Sequence, residues 1–347
     1  MSVNWNRYLE LVLTDKDQQN YVLGDLKITF TITTDVSKPG SEATIALYNL
    51  AEGTRNKILK GEFTRIKVVA GYQGIAPAVQ SSEVGVAVPV SQEETGQSRG
   101  LNYGEIFSGE IRYATTQQES TPDYAMIVHA VDGHRAALTT TLKSTLAAGY
   151  RPGDVYSLTL RNFDPAGVTS GATGTLPDTR FPRGRVFYQT AAQTMDNVAA
   201  QCRSSWQFVD GKLQMVPEES YLSSSVVLNY QSGLIGVPSV NIDNGITVKC
   251  LINPNIRLHG TVEIKRSMLT QDDAASSSQG TAAAGANDTR KGADSKSHAG
   301  DLSSEGVYIV KSITYDGDTR GTNWYMTLLC IARENQTLIN LTPQKAT

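Results

Sequence analysis

Apolar residues recur at every second position along most of this chain, the spacing of strands with one buried face. Leu9, Leu11 and Leu13 alternate first, and Leu26, Ile28, Phe30 and Ile32 follow with Thr29, Thr31 and Thr33 on the opposite face. Ala43, Ile45 and Leu47 predict a third strand, and Ile66, Val68 and Ala70 a fourth. Between these, residues 49–61 read as a short helix, with Asn49 placed to cap its N-terminus and Gly61 where a C′ glycine ends a helix. Strand alternation resumes over 105–114 and 124–131, and 135–142 reads as a second short helix.

The pattern changes over 150–224. Tyr156, Leu158 and Leu160 alternate and predict a strand, and 164–185 is a loop rich in Gly, Thr and Pro. Thr190 then precedes Met195, Val198, Ala199 and Cys202 at helical spacing. Trp206 and Phe208, the turn Asp210-Gly211, and Leu213 and Met215 predict a compact hairpin. Helix followed by hairpin makes a small α+β module.

Two hairpin signals dominate the rest. Val240 and Ile242 lead through Asp243-Asn244-Gly245, a turn suited to a tight hairpin, into Ile246, Val248 and Cys250. Asn253-Pro254-Asn255 turns the chain again, and Ile256, Leu258, Val262 and Ile264 follow with period two. Later, Val307, Ile309, Ile313 and Tyr315 lead into Asp316-Gly317-Asp318, read as the turn. The return strand has Trp324, Met326, Leu328 and Cys330 on one face and Tyr325, Leu329 and Ile331 on the other, which predicts cover on both sides. The fold class is mainly β with an α+β module. Two β-sandwich or barrel domains, 1–145 and 225–347, are joined by a small mixed domain, 146–224.

Two segments break the alternation. Residues 73–103 have no sustained period, and a loop of that length is functional or mobile. Residues 270–305 are almost wholly small and polar, with Leu302 the one large aliphatic, too few to offset ordering entropy without a partner. Val84, Val86 and Val88 in the first segment, and Asp272, Arg290 and Lys291 in the second, are the candidate partner contacts.

Composition narrows the class. The chain has 347 residues, enough for two or three domains, and 39 % hydrophobic residues without a run long enough to span a bilayer. Its first residues, MSVNWNRYLELVL, do not read as a signal peptide. The net charge is −3 and basic residues are scattered, which argues against groove binding of duplex nucleic acid. Cys202, Cys250 and Cys330 are far apart and read as small buried hydrophobes rather than a disulfide frame or a zinc site.

Candidate chemistry is thin. Asp316-Gly317-Asp318 lacks the remaining ligands of a calcium loop and reads as a plain turn. His129, His134, His259 and His298 show no metal-site spacing. Glu105 with Glu110, or Asp272 with Asp273, would serve a glycosidase only at the right spatial separation, and solvated charge is the ordinary reading. Trp324 and Tyr325 are read as core aromatics before a sugar platform, and Met195, Val198 and Cys202 as a core stripe. No catalytic residue, metal or cofactor is assigned.

Several whole strands and turns together carry a family resemblance. They are Gly233-Leu234-Ile235-Gly236-Val237-Pro238, the run from Gly245 to Ile256, Tyr308-Ile309-Val310-Lys311, and Asp316 to Trp324. Ala46-Leu47-Tyr48-Asn49-Leu50 and Val69-Ala70-Gly71-Tyr72 add the N-terminal part. This combination resembles the baseplate hub proteins of long-tailed, contractile-type bacteriophages.

The resemblance implies two tail-tube-like β-domains per chain and assembly as a homotrimer. Such a pseudo-sixfold ring adapts a hexameric tail tube to a trimeric central spike and lines the channel for DNA. Implied partners are further copies of the chain, the tail tube protein, the spike, and other baseplate or tape-measure proteins. Genomic DNA passes without specific binding, and there is no membrane insertion. The implied location is the virion's tail baseplate, assembled in the host bacterial cytoplasm. A tail-tip cell-wall hydrolase and a β-rich adhesin or carbohydrate-binding protein are the alternatives.

Overall fold

The computed structural model describes residues 6–23, 26–73, 101–118, 123–218, 220–240, 245–264, 306–333 and 337–339. The N-terminal part holds β1 (Arg7–Asp15), β2 (Asn20–Leu23), β3 (Ile28–Asp35), β4 (Glu42–Tyr48), helix α1 (Glu52–Leu59), β5 (Phe63–Gln73), β6 (Leu101–Gln118) and β7 (Tyr124–Val131). The middle holds α2 (His134–Thr139), β8 (Thr141–Leu146), α3 (Pro152–Phe163), β9 (Thr169–Thr173), β10 (Arg185–Thr190), α4 (Ala191–Gln201), β11 (Ser204–Val209) and β12 (Lys212–Pro217). The C-terminal part holds β13 (Ser220–Leu222), β14 (Ser225–Val227), β15 (Ser239–Val240), β16 (Gly245–Cys250), β17 (Thr261–Glu263), β18 (Val307–Asp318), β19 (Trp324–Ala332) and β20 (Thr337–Ile339).

Both ends of the chain build one sheet. Among the described residues it has thirteen strands, with the main order β15-β16-β19-β18-β3-β4-β7-β6-β5-β1-β2. The join is β18 against β3, antiparallel, from Ser312 opposite Asp35 to Asp318 opposite Thr29. The alternation read from the sequence decides which side is dry. Ile28, Phe30, Ile32, Ile45, Leu47, Val128, Ile313, Tyr315, Met326 and Leu328 all face one buried core shared by both ends. Burial of aliphatic side chains at roughly 1.5–3 kcal/mol each is what holds such a sheet together.

The middle forms its own core. Phe163, Phe187, Met195, Val198, Trp206, Phe208 and Leu213 are buried together. Thr190, which precedes α4, caps it: its hydroxyl accepts from the Gln193 amide at 3.2 Å, and the Gln193 side chain accepts from the Thr190 amide at 3.4 Å. The hairpin β11–β12 turns at Asp210-Gly211, both with positive φ.

Several sequence expectations are corrected. Tyr156, Leu158 and Leu160 lie in α3, not in a strand, because the buried positions Val155, Tyr156, Thr159 and Phe163 follow helical spacing. The loop 164–185 contains β9, which pairs in parallel with β12. Asn49 does not cap α1. Its backbone has φ +53°, its side chain bonds Asp123 at 3.2 Å, and Ala51 precedes the helix without a side-chain cap. Gly61, at φ +67°, does end that helix.

In the last hairpin, Gly317 and Asp318 belong to β18, and the turn falls at 319–323. A side chain on Gly317 would collide with the Phe30 ring, and the Asp318 carboxylate accepts from the Arg320 and Gly321 amides at 2.8 Å each. β19 is covered on one face only: Leu328 and Cys330 are buried, whereas Leu329 is 40 % exposed. Ile256 and Leu258 are buried without being strand, because Asn253 turns the chain and His259 takes φ +61°.

Candidate assembly face

The side of the sheet away from the core carries two polar rows that cross from one end of the chain to the other. One row runs through Tyr325, Asp316, Thr31, Thr44, His129 and Tyr113, each opposite the next on neighbouring strands. The Thr31 hydroxyl donates to Asp316 at 3.0 Å, Thr44 lies 3.2 Å from His129 Nδ1, and Tyr113 stacks on the His129 ring at 4.4 Å. A second row runs through Lys249, Thr327, Thr314, Thr33 and Glu42. Lys249 sits 3.5 Å over the Tyr325 ring. β-Branched threonine suits strands and leaves a neutral hydroxyl in water, so the face is hydrophilic with little net charge.

Among the described residues two strands end the main strand path, and a third edge, β14, lies off it beside β17. At one end β2 exposes Tyr21 and Val22, the latter 61 % accessible, and at the other β15 pairs only with β16. A strand with unpaired backbone groups on one side is a site for pairing with another chain.

The middle is locked to the sheet by polar contacts. The Phe208 amide donates to Pro39 carbonyl at 2.6 Å, and Gln207 Nε2 donates to the Val36 carbonyl at 2.9 Å. Gly133, at φ +64°, lies so close under Phe208 that a Cβ would sit 2.4 Å from the ring. Arg257 pairs with Asp210 at 3.2 Å. Burial pushes the Asp132 carboxyl up to about 7, with the neighbouring Asp210 adding to the rise and the Gly211 amide and Arg65 opposing it. Burial also brings His259 down to about 3, helped by the nearby Lys311. His259 Nε2 lies 3.3 Å from the Ser205 hydroxyl and 3.4 Å from Gln207 Oε1.

The residues weighed for chemistry are scattered. Glu105 is paired with Lys67, and Glu110 accepts from the Arg135 amide at 2.6 Å. His129 is on the polar face, His134 begins α2, and His259 is wholly buried at the junction. Trp324 is core, edge-on to Phe30 at 5.5 Å. The three cysteines are buried and free, as expected of small hydrophobes. No group of three metal-ligating side chains, and no helix long and apolar enough to cross a membrane, occurs among the described residues. Val84, Val86, Val88, Asp272, Arg290 and Lys291, with Asp273 and His298, lie outside the described residues. The polar rows themselves are the feature that sequence reading passed over. The threonines facing away from Ile28, Phe30 and Ile32 were their visible signal.

No family model matches the sequence, and no curated protein matches it. Solved structures do match in shape. The 43 kDa tail protein of prophage MuSo2 from Shewanella oneidensis has a TM-score of 0.54 at 8 % identity, covering 95 % of this chain and 99 % of that one. The tail protein from Neisseria meningitidis MC58 has a TM-score of 0.52 at 8 % identity, covering 96 % and 99 %. A chain of the Francisella PdpA–VgrG complex has a TM-score of 0.52 at 7 % identity, covering all of this chain and 61 % of that one. Along nearly its whole length, the chain has the fold of phage tail proteins.

Proposed function

We propose that this chain is a structural subunit of a phage tail, a hub that assembles as a homotrimer and joins the tail tube to the central spike. The observation that carries the reading is the pair of polar rows crossing from β18 to β3, on a fold shared with tail proteins over their full length. Each chain contributes two strand-rich units, 1–145 and 225–347, and three chains contribute six, so a threefold assembly presents a pseudo-sixfold ring to a hexameric tube. Neighbouring subunits cover the edges at β2 and β15. The threonine rows line the passage, where neutral hydroxyls let DNA slide because few cations are present to hold phosphates.

Mass measurement of the purified protein, alone and mixed with its tube and spike proteins, tests the reading. A trimer that binds both is expected, and electron microscopy of it should show a threefold ring with a hole of duplex width. A stable monomer that ignores both partners overturns it.

A further inference from the structure

A second surface shares only Tyr113 with the polar rows. An open groove of about 1020 Å³ lies between the end of α1, strands β5 and β6, helix α2, the start of β8 and the end of α3. Its lining includes Lys16, Arg65, Arg112 and Arg135, against one lining carboxylate, Glu110. This is a local cationic surplus on a chain whose net charge is −3. Asp17 and Glu62 are sequence neighbours of residues at the Lys16 end, so the surplus concentrates around the arginines. Arg65 faces Asp132 and opposes the rise of its pKa, which leaves Arg112 and Arg135 uncommitted. Both are exposed and form no ion pair among the described residues. Glu110 accepts from the Arg135 amide and keeps its charge, so four cations face one carboxylate in the groove.

The groove also has an apolar wall. Ile58 and Phe63 are buried behind it, Ile111 lines it, and Leu59 is 48 % exposed at its rim. Guanidinium forks beside an apolar strip match a peptide that alternates carboxylates with aliphatic side chains. A phosphate backbone would instead need a longer row of cations, and no Lys/Arg block exists in the chain. We propose that this groove docks an acidic, amphipathic segment of a partner protein, with Arg112 and Arg135 as the carboxylate-reading residues.

The test uses the full chain and three fluorescent probes: a peptide alternating Glu and Leu, its Gln/Leu counterpart, and a single-stranded oligodeoxynucleotide. The Glu/Leu peptide is expected to bind, the Gln/Leu peptide to bind at least about tenfold more weakly, and R112E/R135E to lose about tenfold or more for the Glu/Leu probe. R112K/R135K, which keeps charge but removes the fork, should fall between. Both arginines are exposed, so an unchanged melting temperature will show that the variants fold. Absence of Glu/Leu binding, equal binding of the two peptides, or undiminished binding to R112E/R135E overturns the proposal. Tighter binding of the oligonucleotide through the same arginines overturns it in favour of nucleic acid.

Discussion

Tyr72 and Trp324 tie β5 to β19: the Tyr72 hydroxyl donates to the Trp324 carbonyl at 3.2 Å, and Trp324 Nε1 donates to the Gly71 carbonyl at 3.3 Å. Both residues are buried, and the Arg7 guanidinium lies 5.7 Å over the indole. Arg7 also donates to the carbonyls of Asp318, Gly321 and Thr322, so the first strand is pinned to the last hairpin. Tyr72→Phe should cost about 1–2 kcal/mol by leaving a buried carbonyl short of a donor. Trp324→Ala should cost about 3–5 kcal/mol through the cavity it leaves. The midpoints of urea unfolding measure both, and an unchanged midpoint for either removes this seam from the account.

The junction between the middle and the sheet predicts a pH profile. Asp132 has its pKa raised to about 7, so between about pH 4 and 7 the folded chain holds a proton that the unfolded chain releases. Its contribution is full below about pH 4 and is lost as pH rises through 7. His259 works in the opposite direction. Its pKa is lowered to about 3, so its contribution is full above about pH 6.5 and is lost as pH falls toward 3. From about pH 4 to 6.5 the two slopes oppose each other. Asp132→Asn removes one of them. The variant should lose stability on acidification below about pH 6.5 by up to about 1.4 kcal/mol per unit, and should outlast the parent above pH 7. Urea unfolding across that pH range checks both arms.

Gly133 offers a sharper steric test. At φ +64°, with Phe208 against it, an alanine methyl has neither backbone nor space. Gly133→Ala should cost more than about 2 kcal/mol. Phe208→Ala in the same chain relieves the collision, so the double variant should lose less than the sum of the singles. Strict additivity would show that the contact carries no energy.

Thr190→Ala removes the hydroxyl half of the capping box on α4, leaves the Thr190 amide's bond to Gln193 in place, and should cost about 1 kcal/mol. Calorimetry of this variant also tests the three-part division of the chain. If 146–224 melts as its own unit, only one transition moves. A single transition that shifts as a whole would mean the middle and the sheet unfold together.

The local parts of this fold were legible because burial on one side of a strand writes itself as period two. Leu11 and Leu13, Ile28 to Ile32, Ala43 to Leu47, and Met326 to Cys330 all show it. Thr190 was placed just before a helix, and Gln193 three residues on was the unread half of its capping box. The strand expected at 156–160 failed for a specific reason. Tyr156, Leu158 and Leu160 alternate, but Pro152 at the first turn and Asp154, whose carboxylate accepts from the Arg151 amide at 2.8 Å, were the signals of a helix start. The pairing of β18 with β3 was not legible at all, since alternation marks faces and carries no information about which strand lies alongside. The candidate face depends on that pairing, so only its threonines could be seen in advance.

The same join has a consequence for synthesis. Thr31 and Asp316 bond across the sheet but stand 285 residues apart in the chain. A ribosome therefore finishes β3 long before β18 exists, and throughout that interval one side of β3 has no permanent neighbour. The nascent N-terminal part must be held by a chaperone, by transient contacts or by its own slowness to associate. A message truncated before residue 307 would release a chain with a permanently open edge, ready to pair with whatever strand it meets. Completing the last long hairpin is thus also the step that makes the product safe to accumulate.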